Sequence, residues 1–214
     1  MKRLLITLIT LALLTLSLGA GTPSPSKTNA SPPKTDVMAP NQPQAGAYVL
    51  LAWGELGMHC IDGKDYSVFS VLPPFNVIHA QLFKRGEPPV PITTGVTITY
   101  QATPDTTGSI NTYSAKKTNF WNYVQKLFLQ SPPPETGLAG YKTQSKTPQQ
   151  MAYNATEGYW EAVGIPTVDY DDLKKFNPLP MAKLVAKDTA GNVLATAKIV
   201  LAVSEEMSCN QCHA

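Results

Sequence analysis

Asn76-Val77-Ile78-His79-Ala80-Gln81-Leu82-Phe83-Lys84 alternates as an extended chain does. Ile78, Ala80 and Leu82 fall on one face, and Val77, His79, Gln81 and Phe83 on the other, because successive side chains of a strand point in opposite directions. The same period of two recurs in Gly95–Gln101, where Val96, Ile98 and Tyr100 alternate with polar residues. Ala47–Trp53 is a short apolar run rich in strand formers. Met181–Lys187 and Val193–Val203 flank Asp188-Thr189-Ala190-Gly191-Asn192, the composition of a hairpin turn.

One segment has helical periodicity instead. In Phe120–Phe128, Phe120, Tyr123, Val124, Leu127 and Phe128 share a side, Thr118 or Asn119 stands where an N-cap belongs, and Ser131-Pro132-Pro133-Pro134 follows. The stretch from Glu135 to Asn154 is polar and broken by Gly and Pro, and reads as loop. Many short strands with turn signals between them predict a mainly β domain over 47–204, an immunoglobulin-like β-sandwich with one inserted helix.

The residues before this domain form two blocks. Met1-Lys2-Arg3 is positive, Leu4–Leu18 carries no charge, and Gly19-Ala20-Gly21 is small, so 1–20 reads as a secretory signal peptide cleaved near Gly19 or Ala20. The alternative is a retained anchor, since the apolar run is only a little short of the roughly 20 residues a spanning helix needs. Residues 21–46 are rich in Pro, Ser, Thr, Ala, Asn and Gln, and read as a disordered linker that cannot bury enough apolar surface to offset its ordering entropy. The chain has 17 Lys and Arg against 15 Asp and Glu; removal of Lys2 and Arg3 with the signal leaves 15 against 15. Such a balance offers no electrostatic footprint for nucleic acid. No membrane association is expected beyond an uncleaved N-terminal anchor.

Two motifs carry chemistry. Cys209-Asn210-Gln211-Cys212-His213 spells CxxCH, the attachment pattern of c-type haem: two thiols one turn apart reach the two vinyl groups, and the adjacent histidine becomes the proximal ligand. Export agrees with this, because covalent haem attachment in bacteria occurs outside the cytoplasmic membrane. Periplasmic or extracellular localisation is therefore expected. The competing cofactor is zinc, whose tetrahedral site would need two ligands besides Cys209 and Cys212, with His59, Cys60 and His79 to supply them.

The second motif is Gly57-Met58-His59-Cys60. Met58 and His59 are each candidate sixth ligands to a haem iron, histidine favouring a low potential and methionine a higher one. Cys60 is the odd thiol and can ligate a metal, pair with another chain or simply be buried. The bland reading makes Met58 core packing, His59 a hydrogen-bonded structural histidine and Cys60 a small hydrophobe. His79, in mid-strand, reads as a satisfied core histidine rather than a ligand. Asp62 and Asp65, like Asp169, Asp171 and Asp172, lack the ligand spacing of an EF-hand and read as solvated turn carboxylates. No Ser-His-Asp set, phosphate-cradling loop or carboxylate pair marks an enzyme.

WGELGMHCIDGKDYSVFSVLPPFNVIHAQ, residues 53–81, resembles a recurring block of large exported bacterial proteins, a family of predicted multihaem c-type cytochromes. KTNFWNYVQKLF, the EAVGIPTVDYDD region leading to NPLPMAKLVAKD, and SEEMSCNQCHA extend the resemblance over nearly everything after the linker. It implies haem bound through Cys209, Cys212 and His213, and extracytoplasmic electron transfer with redox partner proteins. In similar proteins the chain continues into further cysteine motifs, so the resemblance implies that 205–214 is the first haem site of something longer.

Overall fold

In the computed structural model, residues 46–55, 65–67 and 74–203 are described. All belong to one compact unit within 42–214. Nine strands and one helix follow in chain order: β1 (Tyr48–Gly54), β2 (Phe75–Lys84), β3 (Val90–Ile92), β4 (Val96–Thr103), α1 (Phe120–Phe128), β5 (Gln149–Gln150), β6 (Ala152–Asn154), β7 (Tyr159–Pro166), β8 (Met181–Asp188) and β9 (Val193–Val200).

The strands form two antiparallel sheets, one ordered β1-β2-β7-β6 and the other β5-β4-β8-β9. Strand β2 is the centre of the first sheet, and its alternation is realised in full. Ile78, Ala80 and Leu82 are almost completely buried and face the second sheet, where Ile98, Tyr100, Ala182, Leu184 and Ala186 meet them in one core. Burial of each large side chain there contributes about 1.5–3 kcal/mol. Along one side β2 pairs with β1; along the other, β7 takes Phe75–Ala80 and β3 takes Leu82–Lys84. The predicted β-sandwich with one helix is therefore the architecture of the described residues.

Three local features depart from the sequence reading or were not part of it. The segment read as loop, 135–154, contains β5 and β6, strands of two and three residues that are too short to show a period. Strand β7 did not stand out because Gly164 interrupts its alternation: the register slips between Asn76 and Ile78 of β2, and Gly164 adopts φ +73° on the bulged strand. Helix α1 has the predicted bounds. Of the two capping candidates, the Thr118 hydroxyl accepts from the Phe120 N–H at 3.3 Å. Asn119 stands at the N-cap, but its side chain does not cap the helix. Its Oδ1 instead accepts from the Tyr66 N–H at 2.9 Å and its Nδ2 donates to Asp65 Oδ1 at 2.7 Å.

Phe120 and Val124 of α1 pack with Tyr66 and Phe75 in a second apolar cluster, apart from the sandwich core. Ring centroids lie 5.2 Å apart for Tyr66–Phe120 and 5.4 Å for Phe75–Phe120, both edge-to-face. The helix ends in a left-handed residue, Leu129, whose N–H donates to the Gln125 carbonyl. No helix among the described residues is long and apolar enough to cross a membrane.

Candidate functional site

The residues singled out for cofactor binding, Cys209, Cys212 and His213, and the candidate ligands Met58, His59 and Cys60, lie outside the described residues. So do the signal peptide and all of the linker except Gly46. The described fold specifies where the two motif-bearing segments leave it.

The first leaves from the end of β1. The Glu55 N–H donates to the Val77 carbonyl at 3.0 Å, extending the β1–β2 ladder one residue past Gly54. The second follows β9, after which the Leu201 and Val203 N–H groups donate to the Pro180 and Pro178 carbonyls, both at 2.8 Å. These exits are neighbours. A Cβ placed on Gly54 would stand 3.5 Å from the Val200 carbonyl oxygen, an ordinary contact distance that shows the end of β9 passing close against the end of β1. An extended chain covers at most about 3.6 Å per residue. Five residues from Gly54 to His59 therefore reach roughly 18 Å, and nine from Val200 to Cys209 roughly 32 Å, on that spacing. Both spans greatly exceed the separation of their roots.

Beside the first exit, on the outer face of the first sheet, stands an aromatic cluster. The register sets His79 opposite Trp53 on one side and Glu161 on the other. The His79 ring centroid lies 5.6 Å from that of Trp53 and 4.4 Å from that of Tyr159. These rings leave His79 only 8% exposed although it faces away from the sandwich core. Its Nε2 is 4.0 Å from Glu55 Oε2, while Nδ1 is buried and has no hydrogen-bond partner among the described residues. Among those residues His79 is thus not the satisfied core histidine that its position in the strand suggested. Partial burial, followed by the charges of Glu157, Glu161 and Glu55, raises the Tyr159 hydroxyl above its ordinary pKa.

At the loops 104–117 and 167–178 the structure assembles a polar network that the sequence did not announce. Lys117 has a fully buried side chain, and its Nζ donates to Asn111 Oδ1 at 2.8 Å and to Asp172 Oδ1 at 3.0 Å. The same nitrogen lies 3.9 Å from the centroid of the Tyr113 ring. Burial holds the Lys117 ammonium below its usual pKa despite the attraction of Asp172, Glu135 and Asp171. Burial pushes Asp172 the other way, but the Thr112 N–H and hydroxyl and the Lys117 ammonium outweigh it and keep the carboxyl below its usual range.

The neighbouring carboxylates correct a second expectation. Asp169 and Asp171 are buried rather than solvated. Asp171 accepts from the Leu173 and Lys175 N–H groups through Oδ1 and from the Ser109 hydroxyl through Oδ2. It closes a turn and joins it to the 104–117 loop. Asp65 does remain at an exposed turn, bonded to Ser67. The Lys117 network leaves no local pattern in the sequence, because its partners are separated by up to 55 residues.

Comparison with known proteins adds no assignment: no family model, curated protein or solved structure matches the chain.

Proposed function

We propose that this chain is an exported c-type cytochrome-like protein that binds haem covalently and transfers electrons outside the cytoplasm, in the periplasm or extracellularly, to redox partner proteins. The donor set fits the group. Cys209 and Cys212 are the thiols that would form the two thioether bonds, and His213 is the imidazole that would face the iron. Bound haem supplies one-electron chemistry. The protein's part is to hold that group, exclude water from it and present one edge to a partner.

The observation that carries the reading beyond the motif is the proximity of the two exits, Gly54 against Val200. The two chain ends from which these segments depart are neighbours, and the chain lengths to His59 and to Cys209 are long enough for the motifs to meet. That arrangement supports a single site in which Met58 or His59 completes the iron's coordination.

The same proximity supports a second reading, an exported binding or structural module in which Cys209, Cys212, His59 and Cys60 hold zinc. The full chain expressed with a haem-maturation system separates the two. A pyridine haemochrome spectrum of covalent c-type haem, lost in Cys209→Ser/Cys212→Ser, is the expected result. Its absence, together with stoichiometric zinc that the same double variant loses, would establish the zinc reading instead.

We further propose that the sandwich is immunoglobulin-like. In chain order, β1-β2-β7-β6 facing β5-β4-β8-β9 corresponds to strands A-B-E-D facing C′-C-F-G of that fold. Tyr100, fully buried on β4, occupies the strand on which antibody domains carry their core tryptophan.

A further inference from the structure

We propose that Lys117 and Asn111 become joined by an intramolecular isopeptide bond. Three groups stand in the order this reaction needs: an amine, a carboxamide and a carboxylate able to move the proton between them. The Lys117 nitrogen is 2.8 Å from Asn111 Oδ1, the oxygen bonded to the carbon it would attack, and 3.0 Å from Asp172 Oδ1. Asn111 is 1% exposed and the Lys117 side chain is fully buried, so water, the competing nucleophile, is excluded from the pair. The folded chain holds amine and carboxamide together, which replaces a bimolecular encounter with an intramolecular one.

The step balances without a further reagent. Asp172 takes a proton from the Lys117 ammonium, leaving a neutral amine whose lone pair forms the new bond to Asn111 Cγ. The Cγ–Nδ2 bond breaks, its electron pair leaves on nitrogen, and the proton held by Asp172 passes to that leaving group, which departs as ammonia. The new amide nitrogen then gives its second proton to the Asp172 carboxylate, which hands it to the ammonia or to solvent. Ammonium and carboxamide thus become a secondary amide and an ammonium ion. One amide replaces another, and nothing is oxidised or reduced. The Asn111 Nδ2 donates to the Val168 carbonyl at 2.5 Å, so the carboxamide is oriented with its oxygen toward the lysine. The Thr112 N–H and hydroxyl hold Asp172 as the carboxylate, the form that accepts the first proton. Burial of Lys117 favours the uncharged amine that must attack. The proposal is independent of the haem reading, since none of its residues belongs to either haem motif.

A tryptic map of the full purified chain tests it. Cleavage after Lys116 should leave the peptide carrying Asn111 covalently joined to the one beginning at Lys117, with no cleavage after Lys117. The joined pair should be lighter than the two peptides together by one ammonia. In Asp172→Asn that retains its β-sheet circular dichroism, the two peptides should separate with unaltered masses. Separate peptides of unaltered mass from the unmodified protein would overturn the bond. So would loss of ammonia confined to the Asn111 peptide, with normal cleavage after Lys117, which is the signature of a succinimide. Joined peptides in folded Asp172→Asn would overturn the role given to Asp172.

Discussion

Asp65, Asp105 and Asp188 each end or open a turn by accepting hydrogen bonds from residues two to four positions ahead. For Asp188 the donors are the Ala190 and Asn192 N–H groups and the Asn192 side chain, with Gly191 supplying the left-handed turn residue at φ +87°. The Asn192 carboxamide is the largest influence on Asp188, the Thr107 hydroxyl on Asp105 and the Ser67 hydroxyl on Asp65, and all three carboxyls are held below their ordinary pKa. Asp172 shares the direction. A carboxyl whose folded pKa is depressed binds fewer protons in the native state than in the unfolded one. Its stabilisation is therefore complete above the unfolded value of about 3.9 and is lost as pH falls through the lower folded values. Melting temperature should be level from neutral pH down to about 5 and then fall progressively below about 4. Asp188→Asn should flatten that acid limb; an unchanged limb would refute the assignment. Glycine pairing makes a second residue-scale prediction. A Cβ on Gly137 would lie 1.8 Å from the Gly164 carbonyl oxygen, a clash with backbone that no rotamer relieves. Gly137→Ala should cost at least about 1–3 kcal/mol in denaturant unfolding, the range of an overpacked site. Gly164→Ala meets no atom but must adopt φ +73°, and should cost about 1–2 kcal/mol.

Among the elements, β2 and β4 were legible by alternation, β1 as an apolar run and the β8–β9 hairpin by its turn, and all form within a few residues of their predicted bounds. Helix α1 was legible too, because five large apolar side chains recur at helical spacing over nine residues. Strands β3, β5 and β6 were not, since two or three residues cannot display a period and owe their extension to the partner strand. The role of Asn119 was also hidden. Capping is a local contest, and here a distant backbone N–H, that of Tyr66, wins the side-chain oxygen. The consequence is measurable at the scale of the helix. Phe120 is fully buried between Tyr66 and Phe75, outside the sandwich core, so Phe120→Ala should cost about 3–5 kcal/mol. Hydrogen exchange should then rise first in α1 and in 65–67, while β4 and β8 keep their protection. Equal loss in β4 and β8 would mean that the two apolar clusters unfold as one.

Across the whole molecule, the core of the described residues draws from both sheets over Leu50 to Leu201. Cys209→Ser/Cys212→Ser should abolish covalent haem in the full chain made with a haem-maturation system, read as loss of the c-type haemochrome spectrum. The sequence by itself determined the β class, the helix and the hairpin, because periodicity and turn composition are written in residues a few positions apart. Only the tertiary structure decided that the ends of β1 and β9 lie together, and that Lys117 is buried against Asn111 and Asp172. Those are contacts between residues 6 to 146 positions apart, selected by how two twisted sheets close over one core and by which loops their ends bring together.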